Sequence, residues 1–171
     1  MKSDKIKKIT LVAILSAIAI IISYVDKLIS SVAFAFLPMA KIGLANIVIL
    51  ISLYKFDFKS SLIIAILKSV LSNLLFGSFM SFIIGFSGTM LSFLGMYMFK
   101  KLLTEKISVI SVSALGGTLH IMGQCIVIYF VYNLGSEITL YLGYLILVSL
   151  ITSVLVGFIA KRIIEYKTSQ L

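Results

Sequence analysis

A lysine sits near the middle of an apolar run, at Lys68, nine residues beyond Lys59 and about 13 Å of helical rise from the nearer end of that run. Snorkelling over that distance is strained, so the ammonium is expected to face the interior of a helix bundle or a wet cavity. There it can hold an anionic group of a solute, or it can be satisfied by backbone carbonyls and neighbouring hydroxyls. Asn73 follows five residues later, with Ser72 one turn above Lys68. His120 and Gln124 are spaced i, i+4 and share a helix face, while Lys41 stands at the start of another run and Asn46 lies further along it. Each polar residue alone serves as interhelical glue as readily as ligand. Taken together, Asn46, Asn73, His120 and Gln124 fit one pocket in the central or outer part of the membrane, with Lys41 attracting anions at its mouth.

Other chemistry lacks the necessary residues. The six acids, Asp4, Asp26, Asp57, Glu105, Glu137 and Glu165, are dispersed, whereas prenyl transfer needs clustered aspartates to hold magnesium on a diphosphate. One histidine cannot build a His-rich zinc site, and no GxxxxGK[ST] loop is present to cradle nucleotide phosphates. A Ser-His-acid triad would need an acid at membrane depth beside His120. The reading is of a non-enzyme with no cofactor and no metal. Cys125, the single cysteine, lies in an apolar segment and reads as packing.

The elements that must position these residues are membrane helices. Of 171 residues, 61% are hydrophobic and 12% charged, with a mean hydropathy of +1.19. An average soluble domain is about 25% charged. Six apolar runs, 9–25, 40–54, 60–77, 79–99, 107–132 and 138–160, read as six transmembrane helices of one integral domain over 1–171. The net charge of +9 is carried by residues at the ends of these runs, which marks topology and not nucleic-acid binding. With both termini in the cytoplasm, twelve lysines and arginines lie inside and only Lys27 and Lys41 outside. The amino-terminal run is read as an uncleaved helix, although Ala33-Phe34-Ala35 has the small-x-small form of a signal-peptide site.

Two further segments bear on the pocket. Asp26 to Met39, which holds Pro38 and the run Val32 to Leu37, is too apolar for a free loop and too short to span; it reads as a lid or re-entrant segment, or as a loop dipping into the headgroups. On the fourth helix Ser81, Gly85, Gly88, Ser92 and Gly95 form one stripe of small residues, expected to let helix backbones approach closely, with Gly116, Gly117 and Gly123 of the fifth acting likewise.

Ala13 and Ala17 on the first helix make a flat Ala-x-x-x-Ala patch suited to close packing against another helix. With six helices and both termini inside, this resembles the substrate-binding S component of energy-coupling factor (ECF) vitamin transporters. The stretches Lys41-Ile42-Gly43-Leu44-Ala45-Asn46-Ile47, Leu75-Phe76-Gly77-Ser78-Phe79 and His120-x-x-Gly123-Gln124 resemble the Gx transporter family, whose members are often labelled heptaprenyl diphosphate synthase component I. Two departures stand out: a lysine at 68 where the family is expected to carry arginine, which removes the planar fork, and Ile121 where asparagine is common. The resemblance implies an all-α subunit in the bacterial inner membrane. It would capture a vitamin-like or isoprenoid- or quinone-related solute from outside and dock through Ala13 and Ala17 on a coupling subunit bearing two cytoplasmic ATPases. The competing reading is a membrane accessory subunit of a polyprenyl diphosphate synthase.

Overall fold

The computed structural model describes residues 2–36, 40–103, 107–132 and 137–168. All regular structure among them is helical: α1 (Lys2–Ala33), α2 (Asn46–Lys55), α3 (Phe58–Phe76), α4 (Phe79–Leu103), α5 (Val109–Tyr132) and α6 (Glu137–Thr168). Five of the six are long and apolar enough to cross a bilayer. The chain is therefore a polytopic helical membrane protein, as its composition requires.

Two boundaries differ from the sequence reading. Asp26 to Ala33 do not begin a lid; they continue α1, because the residues following Asp26 carry no helix breaker and keep hydrogen-bonding up the helix through Phe34 N–H to Ser30 O at 2.9 Å. What remains of the expected lid is the turn Phe34–Phe36, and Leu37, Pro38 and Met39 lie outside the described residues. Phe34 and Ala40 lean on Ile121, Cys125 and Leu145 of α5 and α6, while Val32 and Phe36 are exposed.

The second difference is at α2, which has only ten residues and rises about 15 Å, half a hydrocarbon core. It is preceded by a non-helical stretch, Ala40–Gly43, and a turn at Leu44–Ala45. Gly43 has φ +82°, a left-handed conformation that any Cβ would penalise. Irregular backbone is tolerated at membrane depth only where its polar groups find partners or line a cavity. Here α1 supplies the partners: Gly43 N–H donates to both carboxylate oxygens of Asp26, at 3.1 and 3.2 Å, and Ile42 N–H donates to Ser30 Oγ at 3.1 Å.

The helices are arranged as a ring. α2 packs on α3, α3 on α4, α4 on α5, α5 on α6, and α6 returns to α2. α1 lies against α3 and α2, joined through Ala19, Val48 and Ile64 with Val12, Leu15 and Ile22 around them. Glycines bring α4 and α5 together. A Cβ on Gly88 would stand 2.6 Å from His120 O, and one on Gly123 would stand 2.9 Å from Gly88 Cα, so neither position admits a side chain without moving a helix backbone. Ser87 Oγ donates across the same contact to Gly123 O at 2.9 Å.

One end of the ring is closed. Leu50, Leu53, Phe93, Met96 and Val112 form its main core there, with Phe58 stacked beside Phe93 and Tyr97. Lys100 Nζ donates to Leu53 O at 2.5 Å at the end of α2, and Lys8 pairs with Asp57 at 2.5 Å, tying the start of α1 to the α2–α3 turn. At the opposite end Lys27 Nζ donates to Phe76 O, joining α1 to the end of α3.

Candidate functional site

Inside the ring is a cavity of about 170 Å³, room for on the order of ten water-sized groups. Leu50 and Met96 of the core form its floor, and it reaches the exposed lysines Lys27 and Lys41 at the other end. Five of the six residues picked out from the sequence line it: Lys41 at the mouth, Asn46 at the start of α2, Lys68 and Asn73 on α3, and His120 on α5. Gln124 does not. It is buried one turn further along α5, with its side chain against Gly88 of α4 and its Oε1 without a hydrogen-bond partner among the described residues. The i, i+4 spacing does put His120 and Gln124 on one face, but that face looks at α4, and only His120 is near enough to the ring's centre to reach the cavity.

Lys68 is 8% exposed and makes no hydrogen bond or ion pair with any described residue. Its neighbours in charge are Lys41, which repels it, and Asp26, which attracts it through space. Asp26 is buried, and its oxygens accept from Gly43 N–H, with Ser30 Oγ at 3.4 Å. The one carboxylate at the cavity thus orders the stretch before α2 and forms no direct ion pair with Lys68.

The lining mixes small polar residues with apolar ones such as Leu50, Met96 and Val156. Ser69 Oγ, Ser92 Oγ and His120 Nδ1 are buried at the cavity without a hydrogen-bond partner among the described residues. A buried polar group left unmade costs about 1–3 kcal/mol, so three such groups converging on one space, beside an unpaired ammonium, form a surface suited to a polar guest. Asn73 is held by donation from its Nδ2 to Ser69 O at 2.7 Å, and its side chain lies where Gly85 of α4 leaves room.

The sequence reading missed contributions from three helices. Asp26 and Lys27 come from α1, Thr89 and Ser92 from α4, and Ser149, Thr152 and Ser153 from α6. The α6 set was detectable, since three hydroxyl residues at i, i+3 and i+4 in an apolar run lie on one face. The small-residue stripe of α4 divides: Ser81, Gly85 and Ser92 line the cavity, whereas Gly88 and Gly95 meet α5. Gly116 and Gly117 also line it, while a Cβ on Gly117 would strike Ser153 and Ser149 of α6.

Ala13 and Ala17 are on the same helix as Asp26 but do not line the cavity; they lie on an exposed face of α1. Among the described residues no three His, Cys, Asp or Glu side chains come together as metal ligands would.

Fold and cavity together define a polytopic membrane protein with a polar, cation-bearing chamber enclosed by its own helices. The match to a family model is specific: residues 15–163 fit heptaprenyl diphosphate synthase component I, and the chain belongs to that family. No curated protein and no solved structure matches it.

Proposed function

We propose that this chain is the substrate-binding subunit of an ECF-type importer, seated in the bacterial inner membrane with both termini in the cytoplasm. The observation that carries the reading is the cavity holding unpaired Lys68 with the Ser69 and Ser92 hydroxyls and His120 Nδ1, none of which has a hydrogen-bond partner among the described residues. Lys41, Asn46, Lys68, Asn73 and His120 would contact the solute, and Gln124 would hold α5 against α4. Most of the described cationic residues outside the helix interiors fall at the closed end, which the charge rule assigns to the cytoplasm; the mouth, with Lys27 and Lys41, then opens outward. The exposed Ala13 and Ala17 offer a flat face to a coupling subunit, which would bring two ATPases.

The family's name favours a second reading, in which the chain is a membrane accessory subunit of a heptaprenyl diphosphate synthase and presents a lipid substrate to a soluble enzyme. The dispersal of its acids leaves it no magnesium site of its own for that chemistry. Co-purification separates the two. The tagged chain, isolated from its native membrane, should bring down an ECF coupling subunit and its ATPases; recovery of a prenyltransferase in their place would establish the synthase reading.

A further inference from the structure

The lining of the cavity speaks to what enters it. A prenyl chain needs a continuous apolar wall, and a flavin or quinone ring needs aromatic or aliphatic faces to lie on. Among the described residues the lining is mixed: ten serine or threonine hydroxyls share it with Ile42, Leu50, Met96, Ile121 and Val156, and its aromatic rings are Phe76 and His120. The charge is one-sided as well. Lys27, Lys41 and Lys68 face it with a single acid, Asp26, whose oxygens already accept from Gly43 N–H. Lys68 is more than nine-tenths buried and unpaired, and the hydroxyls of Ser69 and Ser92 beside it, each almost wholly buried, are unpartnered.

We infer that the cavity takes a small, water-soluble, hydroxyl-rich oxyanion, a carboxylate or a phosphate ester, with its charged group on Lys68 and its hydroxyls on the serines and threonines of α3, α4 and α6. This deepens the carrier reading by naming the solute's class. An ammonium is a point charge with three rotatable donors and serves a carboxylate or phosphate without requiring the planar geometry of a guanidinium. An uncharged isoprenoid or quinone solute, expected from the sequence resemblance, would leave Lys68 and the buried hydroxyls of Ser69 and Ser92 without partners.

The test is a thermal-shift series on the purified full-length chain in neutral detergent, with D-gluconate, glycerol 3-phosphate, sorbitol and farnesyl diphosphate at equal millimolar concentration. Gluconate or glycerol 3-phosphate should raise Tm by about 4 °C or more; whichever does so identifies the carboxylate or the phosphate source. Sorbitol, isosteric but uncharged, should give no shift. Lys68→Met should abolish the shift and Lys68→Arg should retain part of it. If Lys68→Met does not fold, Lys68→Gln replaces it, and the ranking of at least one of the two anions over sorbitol in the wild type decides independently.

Stabilisation by farnesyl diphosphate alone, undiminished in Lys68→Met, would overturn the inference while leaving a solute-binding cavity. No shift with either hydrophilic anion would overturn it too. The co-purification experiment does not depend on the solute, so the carrier reading stands or falls separately.

Discussion

Asp26 holds more of the structure than its solitary position in the sequence implies. Its carboxylate accepts from the Gly43 N–H, and Ser30 one turn on accepts from Ile42 N–H; together they order the non-helical stretch that leads into α2 and carries Lys41. Removing the acceptor leaves a buried donor unmade, which costs about 1–3 kcal/mol. Asp26→Ala should therefore lower Tm clearly in a detergent melt, and Ser30→Ala should lower it less. Gly43→Ala should also destabilise, by about 1–2 kcal/mol, because φ +82° is left-handed. Equal melting of Asp26→Ala and wild type would show that the stretch is held by something else. In the sequence this acid reads only as the start of a loop, because its partner is a backbone amide 17 residues away, and no pattern in residue types records such a pairing. Lys68 was readable for the opposite reason: a charge in the middle of an apolar run is conspicuous whatever it contacts.

At the scale of elements, the legibility of the helices follows the strength of their hydrophobic signal. The runs assigned to α3, α4 and α5 agree with the observed helices to within a few residues, since each is a long apolar stretch bounded by polar or glycine residues. α1 overran its expected end by eight residues, to Ala33, because Asp26 and Lys27 are polar yet perfectly compatible with a helix. α2 fell short because apolar residues alone do not reveal a left-handed glycine that holds the chain out of a helix at Gly43. The α4–α5 contact makes a sharp prediction. Gly88→Ala places a Cβ 2.6 Å from His120 O, so it must push α5 away; overpacking of this kind costs about 1–3 kcal/mol. The variant should melt lower and bind solute more weakly, since the displaced residue lines the cavity. Unchanged melting would mean that the helices meet more loosely than these distances state.

The tie between the start of α1 and the α2–α3 turn responds to pH. Lys8 and the Ser60 hydroxyl, hydrogen-bonded to the Asp57 carboxylate, hold its pKa down from 3.8 to about 2. A carboxylate whose folded value is depressed contributes stability above its unfolded value and loses it as pH falls through the folded one. The difference in Tm between wild type and Lys8→Ala should accordingly be present at pH 6 and shrink as the pH is lowered from about 4 toward 2. Because both partners are about half exposed, the difference should be small and sensitive to salt. A difference that grew on acidification would contradict the pairing.

For the whole molecule, five helices close a ring around the chamber, while α1 packs against α3 and α2 and contributes only Ser23, Asp26 and Lys27 to the lining. That division leaves α1 free to serve another surface, and Ala13 and Ala17 are exposed there with Ile14 and Ile18 beside them. Replacing both alanines with leucine should weaken assembly with a coupling subunit in a detergent pulldown, at least severalfold, and leave solute binding intact because neither lines the cavity. Equal recovery of partner by mutant and wild type would remove this face from the docking surface. The shared depth read from the sequence for Asn46, Asn73, His120 and Gln124 corresponds to one cavity for the first three, whereas depth alone did not show that Gln124 turns toward α4. The share of α6 was legible only as one hydroxyl face of a helix; that Ser149 and Ser153 reach the same space follows from the ring closure through α2, which residue types do not record.

A buried ammonium among hydroxyls, as in this chamber, is proposed to capture a small solute. Mass spectrometry of small molecules released from chain purified out of its native membrane tests it most directly, with Lys68→Met processed in parallel. Wild type should release a low-mass anion at near one per chain, and the variant should release little of it. The same molecules in equal amount from both, or prenyl lipids alone, would contradict the account.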